Sequence, residues 1–184
     1  MDWTTLLIGG AAAGVVLFFW AAIAWMALPH HHRDYRTCPD KEAVERAIAT
    51  LPPRDAWYVL PHMNDYPGGM KDPALAERMR SAPSALLMVC KPSAPMGPGT
   101  FGRSLVLNLT EGIGLAVLVT QMAGEDGDLI TRVVLCLGAA LFVAAASPLS
   151  LANWRASPWR FAWTSTFDKL VGYGLAGVVL HFLL

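Results

Sequence analysis

Three consecutive histidines, His30-His31-His32, followed by Asp34 and Cys38, form the most conspicuous group of metal-ligating side chains in the chain. Imidazole with thiolate or carboxylate suits zinc or copper. The spacing argues against a closed site, because three neighbours in regular structure do not all converge on one ion, whereas histidines sharing a metal on a helix stand at i and i+4. The expectation is therefore an interfacial segment with its imidazoles among lipid headgroups, and no metal or other cofactor. Copper handling through His62, Met63, Met70, Met79, Met88 and Met96 is disfavoured because Met79 and Met88 are expected in an apolar core. Haem between helices would need two buried imidazoles, and His181 is the only histidine inside an apolar run.

Glu111 lies deep in one such run. An ionised carboxylate at that depth is costly without a partner, and an intramembrane ionisable residue marks a site by default. Lys169, with Asp168 beside it, sits at a comparable depth in another run and is the expected partner, with Gly112 and Gly172 allowing close helix approach. Structural cohesion is the leading reading of this group, and a proton or ion path the alternative.

Gly172-Tyr-Gly174-Leu-Ala-Gly177 matches the dinucleotide-binding GxGxxG pattern, which has meaning only between a strand and a helix. Here it falls within an apolar helix, so it reads as a packing surface, as does Gly10-Ala-Ala-Ala-Gly14. Asn108-Leu-Thr110 fits a glycosylation sequon inside another apolar run, where no transferase reaches.

The elements that must position these residues follow from composition. The chain is 54% hydrophobic and 15% charged, against about a quarter charged in soluble domains, and this places it in a membrane. Its net charge is zero, which gives a nucleic-acid partner no support. Leu6 to Leu28 is an uncharged run of about 23 residues, enough to cross a hydrocarbon core of about 30 Å. No Lys or Arg precedes it and it exceeds a signal-peptide core, so it is expected to stay as an anchor. Three further spans are expected at about residues 104–122, 129–149 and 158–184, the second and third forming a hairpin through the acidic turn Ala123 to Asp128. The fold class is thus all-α integral membrane, with span one in residues 1–29, an insert at 30–103 and spans two to four in 104–184.

Arg33, Arg36 and Arg103 flank the insert, and Arg155 and Arg160 precede span four. The positive-inside rule then puts the insert in the cytoplasm and both termini outside. Cys38, Cys90 and Cys136 are expected to be reduced thiols, whereas an outward insert would permit a Cys38–Cys90 bridge. Trp154, Trp159 and Trp163 suit an interfacial belt, with Ser157-Pro158 opening the fourth helix.

Within the insert, Asp40 to Leu51 places Val44, Ala47, Ile48 and Leu51 on one helical face. Ala56 to Leu60 and Ala85 to Cys90 read as short strands, and Asp72-Pro73 opens a second helix carrying Leu75 and Met79. The expected order is helix, strand, helix, strand, a small α+β unit. Lys91 to Gly99 reads as the linker back to the bilayer.

Phe18-Phe19-Trp20 with Ala27-Leu28-Pro29, and Trp57-Tyr58-Val59-Leu60-Pro61 in the insert, resemble small four-span bacterial membrane proteins of unassigned activity. The resemblance covers the first third of the chain, implies a bacterial inner membrane and carries over no site residues. The expected function is a non-enzymatic accessory, assembly or interaction subunit, whose partners are the lipid bilayer and a further protein or second copy. A small transporter or proton-conducting component using Glu111 is the runner-up. A lipid-acting enzyme ranks third, since no nucleophile elbow or carboxylate pair accompanies the histidines.

Overall fold

The computed structural model describes residues 2–52, 56–61, 71–89, 97–124 and 126–184. It divides into two compact units, Met1–Arg36 with Pro95–Leu184 and, separately, Thr37–Ala94.

In the first unit, α1 (Trp3–Met26) is capped by Asp2, whose carboxylate accepts from the amides of Thr4 and Thr5. A 3₁₀ turn, Pro29–His31, follows. Helix α4 (Pro98–Ala123) starts six residues before the expected Ser104, because Pro98 fits the first helical turn, where φ is preset and no amide hydrogen is needed. Helix α5 (Leu129–Ala144) is capped by Asp128 through the Thr131 amide. It runs on beyond the expected end at Leu149, through a π turn, Ala145–Leu149, into α6 (Ser150–Arg155). The wider turn accommodates Pro148, which lacks the amide hydrogen of a regular helix. Ala156 then stops the helix in the left-handed conformation, φ 52°. Helix α7 (Trp159–Leu183) has Pro158 as its N-cap, one position later than the expected cap at Ser157 and without a side-chain cap.

Among the described residues, three helical segments are long and apolar enough to cross a membrane: Trp3–Met26, Pro98–Ala123 and Leu129–Arg155. Most of the surface of each lies outside the chain's own interior. Helix α7 is as long but carries Arg160, Asp168 and Lys169, and it does not join these three. The expected hairpin of α4 and α5 is connected by a short turn, yet neither helix takes the other as its main partner: α1 packs chiefly on α4 and α7, and α5 on α7. Leu6, Leu17, Val119, Cys136, Tyr173 and Leu180 are core residues of this arrangement.

Small residues set the closest approaches. A Cβ on Gly112 would stand 2.3 Å from both the Gly10 carbonyl oxygen and the Gly14 nitrogen, so α1 and α4 touch through backbone there. Gly177 similarly meets the Val133 Cα of α5, and Gly172 makes room for Leu17 and Trp20 of α1. Gly174 departs from the expected packing role, since a Cβ there would meet only Leu137 Cδ2 at an ordinary 3.6 Å.

The second unit follows the helix, strand, helix, strand order within its described residues: α2 (Lys41–Ala49), β1 (Ala56–Leu60), α3 (Pro73–Ser81) and β2 (Ala85–Val89). The strands pair antiparallel with Tyr58 opposite Leu87. Leu75 is buried, but Met79 and Met88 are exposed, which removes the core role expected of both: two strands and two short helices do not enclose every apolar side chain. The insert boundaries also shift. His30 to Arg36 belong with the long helices rather than with this unit, because the 3₁₀ turn is tied to α7.

Candidate functional site

Two polar clusters adjoin one another on α7. The first lies where α1 ends. The 3₁₀ turn places successive imidazoles on opposite oxygens of one carboxylate, with His30 Nε2 2.8 Å from Asp168 Oδ1 and His31 Nε2 2.5 Å from Asp168 Oδ2. The other nitrogen of His31, Nδ1, lies 2.6 Å from Asp34 Oδ2. Since a neutral imidazole has a single N–H, it can donate to only one of these two carboxylates. Asp34 is itself held by Thr164, whose hydroxyl donates to Oδ2 at 2.8 Å, and by Arg160, whose Nε stands 3.1 Å from Oδ1. Burial would raise the Asp34 pKa, but the hydrogen bonds from His31 and Thr164 and the charges of His31 and Arg160 outweigh it and hold the carboxyl below its ordinary value.

Further contacts fix the frame of this cluster. Arg160 Nη2 donates to the His30 carbonyl at 2.7 Å, which ties the turn to α7. The Trp25 indole stacks flat on the His31 ring at 3.9 Å. Trp20 donates to the backbone carbonyl of Asp168 at 2.9 Å. His31 is buried, and His30 and Asp168 are partly buried.

The second cluster begins one residue later. Lys169 Nζ donates to both oxygens of Glu111, at 3.0 and 2.8 Å, and Tyr173 adds a hydroxyl donor to Oε2 at 3.2 Å. The ammonium also lies over the Tyr173 ring, 5.4 Å from its centre. Each side chain of the ion pair keeps 34% of its surface exposed, although both residues sit near the middle of their helices.

The structure thus brings Glu111 and Lys169 together, while Asp168, expected beside that pair, turns instead to His30 and His31. The expected metal group changes membership in the same way. His32 is exposed and makes no contact with this cluster among the described residues, and Cys38 falls in the other unit; Asp168 joins His30 and His31, with their ligand atoms all within 4.8 Å of one another. Only two of the three consecutive histidines meet, as the spacing argument allows, and the carboxylate they share comes from α7, which spacing along the sequence does not show. The supporting roles of Tyr173 and Asp34 were missed in the sequence, although spacing offered a signal for them, since Tyr173 is four positions after Lys169 and Asp34 three after His31. Nothing in the sequence linked either to Arg160 or Thr164. Cys38 and Cys136 are free thiols. His62, Met63, Met70, Cys90 and Met96 lie outside the described residues.

No protein-family model, curated protein or solved structure matches the chain.

Proposed function

We propose that the chain is a four-span integral protein of a bacterial inner membrane that works without catalysis, as an accessory, assembly or interaction subunit. Helix α7 supplies the fourth span. Its 25 residues extend about 37 Å, and its internal charges are matched within the chain, Asp168 by the histidines and Lys169 by Glu111, which lowers the cost of crossing. The insert faces the cytoplasm and both termini face outward, as the arginine placement favours. Large exposed side chains such as Phe19, Val106, Ile130, Phe142 and Phe182 supply the lipid-facing surface.

One observation carries the subunit reading. A Glu111–Lys169 pair that is one-third exposed near the middle of two spanning helices would face hydrocarbon in an isolated chain. A further protein surface, from a second copy or a partner subunit, relieves that cost. Extraction in mild detergent followed by native mass spectrometry tests this: a particle heavier than the 19.9 kDa chain is expected. A strictly monomeric particle in several detergents, with no co-purifying subunit, would overturn it.

A second reading, a proton-conducting component, is favoured by the run of polar groups along α7 from Thr164 through Asp168 and Lys169 to Tyr173. It requires proton flux in liposomes that Glu111→Gln abolishes without unfolding the protein.

A further inference from the structure

We propose that His30 Nε2, His31 Nε2 and the Asp168 carboxylate bind a divalent transition-metal ion of the zinc class at the end of α1. This inference is independent of the subunit reading, since it uses only contacts around the 3₁₀ turn and α7.

Ligand type is the first ground. Two imidazoles and one carboxylate form a set used where zinc keeps a fourth position open for water or another ligand. Imidazole nitrogen favours zinc, copper, nickel or cobalt over magnesium and calcium, which require oxygen. Without thiolate, the set also lacks the soft donor that selects copper(I).

The second ground is orientation. Metal-bound histidines donate their other ring N–H to a carboxylate or carbonyl, and this fixes tautomer and ring direction. His31 has such an arrangement: Nδ1 lies 2.6 Å from Asp34 Oδ2, which leaves Nε2 as the nitrogen directed at Asp168. Asp34 is held in turn by Thr164 and Arg160, and Trp25 covers the ring face. Arg160 fixes the His30 carbonyl, so the backbone presenting the first imidazole is also anchored. The shell around the ligands is therefore assembled by the fold, and the ligands do not have to be gathered from separate flexible segments.

The third ground is what occupies the contacts in the metal-free form. Each imidazole meets one Asp168 oxygen at hydrogen-bond distance, so protons stand where the ion would bind. With metal–ligand bonds of about 2.0–2.2 Å, ligands in a tetrahedral site lie about 3.3 Å apart, so the two His–Asp168 contacts, at 2.8 and 2.5 Å, must lengthen by several tenths of an ångström to admit the ion. Binding replaces the shared protons and releases them to solvent. His32 and Cys38 take no part.

The test uses the full chain in detergent, carrying no polyhistidine tag, stripped with chelator and titrated with zinc(II) alone, then with cobalt(II) as a spectroscopic probe. One ion per chain is expected, with proton release, a cobalt spectrum of nitrogen and oxygen ligation and no thiolate charge-transfer band. His31→Ala and Asp168→Asn should abolish stoichiometric binding, whereas His32→Ala and Cys38→Ser should leave it unchanged. Asp34→Asn should weaken zinc about 10- to 100-fold. If a ligand variant fails to fold, His30→Gln replaces it, and the wild-type titration is decisive without any variant. No stoichiometric zinc in the wild type, a thiolate band, or equal binding by the ligand variants would overturn the proposal; the first result leaves His31 as a proton-bearing link between two carboxylates.

Discussion

Asp168 and Lys169 are consecutive in α7 and bind different helices of the chain: Asp168 Oδ2 meets His31 Nε2 just past α1, and Lys169 Nζ meets Glu111 Oε2 on α4. Successive helical residues point about 100° apart, so one turn of α7 reaches both neighbours at once. The Asp168 contact reinforces the approach of α1 and α7 at Gly172, whereas Gly112 and Gly172, expected to admit the Glu111–Lys169 pair, both face α1 and not the α4–α7 contact.

The Glu111–Lys169 pair should be measurable as a coupling. Glu111→Gln and Lys169→Met are each expected to lower stability by about 1–2 kcal/mol, between the values of exposed and fully buried pairs, because each leaves a charged partner behind. The double variant should recover part of that loss. Thermal unfolding in detergent, arranged as a double-mutant cycle, reads this directly; two single variants as stable as the parent would remove the pair from the account.

Glycines of one sequence class should separate by position. Gly112→Ala places a methyl against the backbone of Gly10 and Gly14 and should cost about 1–3 kcal/mol or more by forcing α1 and α4 apart. Gly174→Ala meets only ordinary contact and should lie within about 1 kcal/mol of the parent, on the stabilising side, because alanine is the better helix former. Melting temperatures of the two proteins side by side decide this, and equal losses would contradict the seam.

Arg132 is buried at the opposite end of the helices, where it donates to the carbonyls of Gly127, Gly124 and Leu180 and so joins the turn after α4 to the end of α7. A cation near two helix C-termini is favourably placed, and its removal takes a donor from two partly exposed carbonyls and from the Leu180 carbonyl, which keeps the Leu184 amide. Arg132→Met should cost about 2–4 kcal/mol and increase hydrogen exchange at the last turn of α7. Unchanged exchange there would show that the contact to Leu180 contributes nothing.

Hydropathy made the three most apolar helices legible in the sequence, and depth matching placed Glu111 opposite Lys169, because both signals are local and periodic. Asp168 was not legible. Its partner depends on which side of α7 faces the 3₁₀ turn, and a short turn after Pro29 carries no periodicity to read. The start of α4 at Pro98 and the continuation through Pro148 were missed for a related reason: proline marks a break in regular structure, yet it is tolerated at a first turn and in a wider π turn. Met79 and Met88 were misassigned because spacing shows which face they share and not whether anything covers it.

The proposed topology has its own readout. With Cys90 changed to serine and Cys136 buried, Cys38 is the exposed thiol among the described residues. A membrane-impermeant maleimide should leave it unlabelled in intact cells and label it after permeabilisation. Labelling of intact cells would reverse the orientation.

The claim at the centre of the account is that a second protein surface covers the exposed Glu111–Lys169 pair. Leu107 lies one turn before Glu111 on α4 and is 65% exposed, so a photo-reactive phenylalanine analogue placed there samples whatever lies against this face. Irradiation of intact membranes should produce a covalent protein–protein adduct from position 107, reduced when the pair is removed by Glu111→Gln with Lys169→Met. Adducts with lipid alone, in membranes where the protein is folded and abundant, would contradict it.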